Sequence, residues 1–194
     1  MDVNQAHFWQ DRYKANQTGW DLGQVSPPLQ AYFDTLTDKS VRLLIVGAGN
    51  AHEARYLHEL GFTNVHVLDI VPSVLDNFAN ANPTFNPKHL ICHDFFDVHM
   101  LGLGRFDIII EQTFLCAIDP SRRDEYARQV HRLLRNKGDW WVYCLIVSLR
   151  AVRRLGAVWR SIARCLSLIL ACRPWSGVII QSSLEKGESC LSIL

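Results

Sequence analysis

A short apolar run that ends in two glycines, RLLIVGAG at residues 42–49, is the feature that most restricts how this sequence can fold. Continuous apolar runs of this length are typical of strands that are buried on both faces of a parallel sheet. Residues 51–60 are good helix formers, and Gly61 suits the position just past a helix end. The sequence therefore predicts a strand, a glycine turn and a helix, which is the opening unit of an α/β fold.

The same alternation continues along the chain. Further buried strands are predicted over residues 64–71, 89–96 and 106–118, and WWVYCLIV at residues 140–147 could be a fifth. A helix is predicted from Pro72 onwards, and an amphipathic helix over residues 121–136, closed by Gly138. This order predicts a Rossmann-like, doubly wound α/β fold with a mostly parallel sheet.

Composition excludes several functional classes. A chain of 194 residues with a formal net charge of +1 fits one domain and carries no global basic field for nucleic acid. The N-terminus has no apolar signal-type run, and the cysteines follow no metal-ligand spacing. We expect a cytoplasmic monomer with reduced thiols and a small-molecule partner, with neither nucleic acid nor membrane as a partner.

The glycine turn is the first candidate site. In doubly wound sheets ligands bind beyond the carboxyl ends of the strands, where VGAGNAHEA stands here. Gly47 and Gly49 permit close backbone approach, but His52 replaces the third glycine of the dinucleotide pattern, which favours a ligand without pyrophosphate. Asp69 follows 20 residues after Gly49, in the place of an acid that accepts both ribose hydroxyls. The alternatives are an ordinary turn and a solvated Asp at a strand end.

Later strand ends add further candidates. Asp94 is placed to accept from an adenine amine, with Phe95 or Phe96 either on the base or in the core. Glu111 and Cys116 follow the fourth strand, where the methionyl part of a nucleoside ligand would lie. A nucleophilic role for Cys116 is the weaker interpretation, because no base is placed beside it by sequence. No histidine spacing indicates a metal site.

The segment before the first strand is rich in aromatic residues. Trp9, Tyr13 and Trp20 precede a break at Pro27 and Pro28. These rings could staple the segment to the sheet. They could also form a lid whose π-faces attract a sulfonium cation.

Together these motifs resemble the thiopurine S-methyltransferase family, including its thiol and halide methyltransferase branch. The resemblance covers residues 8–138 and rests on FWQDRY, TGWDLG, SPPL, VGAGNAHEARYL, VLDI, HDFF and EQTFLCAIDPSRRDEYARQVHRLL. It implies a class I methyltransferase dependent on S-adenosylmethionine. Family cofactor contacts then correspond to Trp9, Tyr13, Trp20, Gly47, Asp69, Asp94, Phe95 and Arg123.

The implied reaction is an in-line transfer from a sulfonium to a small soft nucleophile. A thiol with a pKa of about 8.5 is partly ionised at neutral pH, so alignment and exclusion of water can supply much of the effect. We therefore expect no acid-base dyad. A hydroxyl acceptor would need one.

The chain changes character after Gly138. The part up to Gly138 contains 16 of the 19 acidic residues, and the part after it contains four of the six tryptophans. The family would continue with strands like LVGVLF and CYNSIKPR around a GGPPFG loop, and none of these occurs. We predict a methyltransferase domain over residues 1–147, with an aromatic lid segment over residues 1–40, and a sheet truncated at its C-terminal strands.

A shift of reading frame accounts for this change. When the third base of each tail codon is read with the first two bases of the next, Trp140 and Trp141 must give Val, and Trp141 and Val142 must give Gly. Permitted codons turn residues 139–194 into a family-like ending that contains LVGVLF, GGPPFG and CYNSIKPR in order. We predict that residues 148–194 are a frameshifted tail.

Two alternatives remain for the chain as written. It could be a nonfunctional or cofactor-binding remnant, because its acceptor side would be incomplete. Residues 151–172 could instead form a basic amphipathic helix on a membrane surface, since apolar residues recur there at helical spacing.

Overall fold

The computed structural model describes residues 2–143, 178–181 and 190–193. Its centre is a parallel sheet of five strands in the order β3-β2-β1-β4-β5, with helices on both faces. The strands are β1 (Leu43–Val46), β2 (Val65–Asp69), β3 (Leu90–Cys92), β4 (Phe106–Gln112) and β5 (Leu134–Tyr143). The helices are α1 (Ala6–Lys14), α2 (Pro27–Thr35), α3 (His52–Glu59), α4 (Pro72–Ala81), α5 (Phe114–Ala117) and α6 (Arg123–Leu133). The predicted doubly wound α/β fold is confirmed.

Alternate residues of the central strand pack into two separate cores. Leu43 and Ile45 of β1 face the core that contains α2, α3 and α4. Leu44 and Val46 face the core that contains α6. All four side chains are buried, and complete burial of such a side chain contributes about 1.5–3 kcal/mol. The continuous apolar run at residues 42–49 is therefore explained by two covered sheet faces.

Local signals set several helix ends. Pro72 begins α4, where its missing N–H costs nothing. Gly61 follows α3 with a φ of +86°, the left-handed conformation predicted from its position. In the described segments, no helix has the length and apolar character needed to cross a membrane.

The predicted ends of two strands are wrong. The strand predicted over residues 89–96 ends at Cys92, because the Asp94 side chain accepts from Phe96 N and turns the chain. The strand predicted over residues 106–118 ends at Gln112, and the one-turn helix α5 follows. An apolar run alone does not distinguish a strand from a buried helical turn.

The junction before β5 also differs from its prediction. Helix α6 ends at Leu133, and Leu134 already pairs with Phe106 of β4. Gly138 therefore lies inside β5 and does not close the helix. The register shifts between Phe106 and Ile108, which accommodates the early start of β5. The pairing of Leu134 with β4 therefore ends α6 earlier than the helical spacing of apolar residues in the sequence predicts.

The sheet continues past β5, contrary to the truncation predicted from sequence. Strand β6 (Val178–Gln181) pairs parallel with β5, and β7 (Cys190–Ile193) pairs antiparallel with β6. An open sheet edge accepts a β-prone segment such as VIIQ whatever its origin. The tail boundary predicted at residue 147 and the predicted helix at residues 151–172 lie outside the described residues.

Candidate functional site

A cavity of about 500 Å³ lies at the carboxyl ends of the first four strands, covered by the N-terminal segment. Its size is that of small-molecule and cofactor pockets, which span about 300–1,000 Å³. Eight of the ten predicted site residues line it: Trp9, Tyr13, Trp20, Gly47, Gly49, Asp69, Asp94 and Phe95. The cavity therefore lies where doubly wound sheets bind ligands.

The glycine turn after β1 forms one wall and depends on both glycines. Gly47 and Gly49 have φ angles of +58° and +53°, which side chains rarely adopt. A Cβ at position 47 would overlap the Phe114 ring, and one at position 49 would lie 2.6 Å from the Tyr13 hydroxyl oxygen. The absence of side chains therefore lets the Phe114 ring and the Tyr13 hydroxyl pack against this turn.

Asp69 joins this turn to the end of β2. Its Oδ2 accepts from Gly49 N at 2.8 Å, and its Oδ1 accepts from Val71 N at 2.9 Å. Only 7% of the residue is exposed, and burial raises the pKa of Asp69. Each oxygen retains a second lone pair, so the carboxyl group can still accept bonds from a ligand.

Asp94 and two phenylalanines form the opposite end of the cavity. Asp94 Oδ1 accepts from Phe96 N at 2.9 Å, and Oδ2 lies 3.8 Å from Arg122 Nη1. The Arg122 guanidinium lies 3.5 Å above the centre of the Phe96 ring. Phe95 packs against Tyr126 at 5.1 Å between ring centres, so it belongs both to the core and to the cavity wall.

The aromatic N-terminal segment covers the cavity as a cluster of edge-on rings. Trp20 meets Trp9 at 5.6 Å and Tyr13 at 5.9 Å between ring centres, nearly at right angles. Burial, with the nearby charge of Asp69, raises the pKa of Tyr13 to about 12, so its phenol is protonated at neutral pH. The rings pack against one another and also line the cavity, whereas a lid that faces a sulfonium stays a prediction.

Glu111 and Arg123 lie outside the cavity lining. Glu111 is fully buried, and its Oε2 accepts from Leu115 N at 2.6 Å, so it caps α5. Burial raises the pKa of Glu111 well above its usual range, which favours the neutral carboxyl. Arg123 is 2% exposed at the start of α6, whereas its neighbour Arg122 lines the cavity.

Sequence reasoning missed Arg122, because two adjacent arginines give no signal of which one faces the cavity. It also missed Asp21, which lines the cavity next to His52. The helical phase of α6 is the signal that could separate the arginines, since Arg123 falls on the buried face with Tyr126 and Val130.

Cys116 lines the cavity beside the end of β4. Its Sγ lies 3.0 Å from the carbonyl oxygen of Thr113, a residue held at a φ of +64°. This thiol packs into a strained turn, which is a structural role. Within the described segments, no group of three His, Cys, Asp or Glu side chains could hold a metal ion.

The fold and the cavity define a class of proteins, the class I methyltransferases. Residues across 70% of the chain superpose on 58% of the Burkholderia thailandensis 1,6-didemethyltoxoflavin-N1-methyltransferase, with a TM-score of 0.57 and 20% identity. The glycopeptide N-methyltransferase MtfA, solved with sinefungin, gives a TM-score of 0.53 over 64% of the chain and 55% of its own, at 18% identity. These similarities establish the fold.

The family model described as thiopurine S-methyltransferase matches residues 4–153. The chain belongs to this family. It is 27% identical to a probable thiol methyltransferase 2 and 30% identical to thiocyanate methyltransferase 1, both from Arabidopsis thaliana. These alignments cover 72% and 68% of the chain but 62% and 58% of the relatives. The chain thus spans about three fifths of their length.

Proposed function

We propose that this domain binds S-adenosylmethionine and transfers its methyl group to a small soft nucleophile such as a thiol. The observation that carries the proposal is the turn at Gly47 and Gly49, fixed by Asp69 at the floor of a cavity with an aromatic cover. Family membership and the names of the thiol and thiocyanate methyltransferases among its relatives support the same reaction.

The residues present fit this cofactor. Gly47 and Gly49 line the cavity, and the left-handed turn that they form brings the backbone to its wall. Asp69 would accept from ribose hydroxyls, and Asp94 from the adenine amine beside Phe95. Trp9, Tyr13 and Trp20 would present π-faces to a cation. When bound, the cofactor supplies an electrophilic methyl group on sulfonium sulfur.

The chain's own contribution to transfer is alignment and exclusion of water. The aromatic cover and the apolar wall formed by Phe114 and Phe96 restrict solvent access to the cavity. Tyr13 is protonated at neutral pH, and Asp69 accepts two backbone bonds, so neither serves as a free base. A thiol of pKa about 8.5 reacts without such a base.

Thiophenol and phenol form a matched pair of acceptors that tests the proposal. Each is incubated with the protein and S-adenosylmethionine, and methylated product is measured by mass spectrometry. Hydrosulfide, a thiopurine and iodide complete the panel. We expect methylation of thiophenol and none of phenol, because phenol needs a base to ionise at neutral pH. Equal methylation of both would contradict the proposed acceptor class.

A second candidate is a remnant that binds the cofactor but no longer transfers the methyl group. The motifs that the family would have after Gly138 are absent from the sequence as written and return only in a shifted frame, which favours this candidate. S-adenosylhomocysteine binding with no turnover on any acceptor would support the remnant. Turnover by the 194-residue chain would exclude it.

A further inference from the structure

Three donors converge on one carboxylate at the rim of the cavity. Asp21 follows Trp20 in the N-terminal segment, and its Oδ1 accepts from Gly23 N at 2.8 Å. The same Oδ1 lies 2.8 Å from His52 Nε2, while Asn50 Nδ2 donates to Oδ2. Asn50 and His52 belong to the glycine turn and the start of α3, so these bonds cross from the cover to the floor.

The pair of Asp21 and His52 is mostly shielded from water, whereas Asn50 is exposed. The side chains of His52 and Asp21 are 19% and 18% exposed. Burial alone would raise the pKa of Asp21, but the bonds from Gly23, Asn50 and His52 outweigh it and lower the pKa. Asp21 is therefore a carboxylate at neutral pH, and bonds to a charged acceptor are stronger than neutral ones.

A second bond joins the same two parts of the molecule. Glu53 Oε1, in the first turn of α3, accepts from Ser26 N at 3.2 Å. Glu53 is the other titratable group beside this cluster. Burial raises the pKa of Glu53, and the charge of Asp21 also raises it, whereas His52 lowers it. The N-terminal segment is thus tied to α3 on both sides of residues 22–25.

Trp20 connects these bonds to the cavity. Its ring packs against Trp9 and Tyr13, and its carbonyl oxygen lies 3.3 Å from Gln112 Nε2. The adjacent Asp21 therefore ties the aromatic cover to the glycine turn and the start of α3.

We infer that Asn50 and His52 are positioning residues that hold Asp21, and with it the aromatic cover, closed over the bound cofactor. This inference rests on the proposed function. It explains why a histidine stands where the dinucleotide pattern has its third glycine, since a glycine there could not reach Asp21. We call Asp21, Asn50 and His52 the latch. These residues set how long the ligand stays bound, and other groups carry out the transfer.

The first test measures the latch without any ligand. Amide hydrogen exchange of residues 17–24 is compared in the wild-type protein, His52→Leu and His52→Gln, whose amide can donate in place of Nε2. His58→Gln, on the same helix but bonded to Thr84, is the matched control. We expect exchange about tenfold faster in His52→Leu, because it loses a bond to a charged group. Exchange near the wild-type rate is expected in His52→Gln and His58→Gln.

The second test measures the release rate of S-adenosylhomocysteine by stopped flow. We expect release about tenfold faster from His52→Leu and Asp21→Asn, and restored toward the wild-type rate in His52→Gln. The double variant should release no faster than Asp21→Asn, since that change already removes the charged acceptor of His52.

The outcomes distinguish failure of the latch from failure of the proposed cofactor site. Wild-type exchange in both His52→Leu and Asp21→Asn would overturn the latch. Faster exchange in these variants without ligand binding by any protein would support the latch and reject the cofactor site. Should His52→Leu fail to fold, Asp21→Asn carries the same comparison.

Discussion

Gly47 shows how one residue supports both the fold and the site. Its φ of +58° and the Phe114 ring against its Cα leave no room for a side chain. We expect Gly47→Ala to lower the free energy of unfolding by about 1–3 kcal/mol, through backbone strain and the clash. Urea unfolding measures the loss, with Gly19→Ala as control, because nothing lies within 4 Å of a Cβ there. An equal loss in both variants would contradict this role.

His66 gives a pH prediction at the same scale. It is 6% exposed in β2, and burial, with nearby His89 and Arg42, lowers the pKa of His66 to about 4. The unfolded chain takes up this proton below about pH 6.5, before the folded protein can, so the folded form is fully favoured above that pH. Stability is therefore lost as the pH falls from about 6.5 to about 4, by about 2–3 kcal/mol.

The matched comparison for His66 isolates its titration from that of other groups. Urea unfolding is measured at several pH values for the wild-type protein, His66→Leu and His58→Gln. The pH slope of stability should be shallower in His66→Leu and unchanged in His58→Gln. A slope that is the same in all three proteins would show that His66 does not titrate between the two states as described.

Among the helices and strands, the sequence predicts best those whose position depends on one local property of the chain. The apolar run of β1, the proline at the start of α4 and the glycine after α3 each have a single local explanation, and the structure confirms all three. The start of β5 and the end of β4 depend on pairing between distant segments, which periodicity does not contain.

The candidate site also contains residues that a local signal predicts and residues that only distant contacts place. The glycine turn and Asp69 are fixed by their places at strand ends, so their sequence spacing was sufficient. Glu111 was placed at the right strand end but faces α5, because the turn at Thr113 redirects the chain after β4. The latch residue Asp21 was missed because its partners come from a separate element 29 or more residues away.

The cap on α5 leads to a prediction for this element. Burial raises the pKa of Glu111 and favours its neutral form, and Glu111→Gln is a neutral side chain that keeps an acceptor for Leu115 N. Glu111→Leu leaves that buried N–H without an acceptor, which costs about 1–3 kcal/mol. We expect Glu111→Gln to unfold near the wild-type urea midpoint and Glu111→Leu well below it. The reverse order would show that the ionised carboxylate is what the site requires.

For the whole molecule, the decisive comparison is between the 194-residue chain and a version with its frame restored after Gly138. The restored tail would supply the family's GGPPFG loop, which closes the acceptor side, and would put the family's own last strands in place of β6 and β7 at the sheet edge. We expect both proteins to bind S-adenosylhomocysteine, and the restored one to be more soluble and to transfer methyl groups faster. Equal solubility and activity, measured side by side, would contradict the frameshift.

The most direct test of the central claim is a calorimetric titration of the 194-residue protein with S-adenosylhomocysteine. The same titration is made with Asp69→Asn and with Asp76→Asn, an exposed carboxylate on the neighbouring helix α4. We expect saturable binding by the wild-type protein and the same affinity in Asp76→Asn. Binding to Asp69→Asn should be weaker by about tenfold or more, because the ligand loses bonds to a charged acceptor. No binding by the wild-type protein at millimolar ligand, or equal affinity in all three proteins, would contradict it.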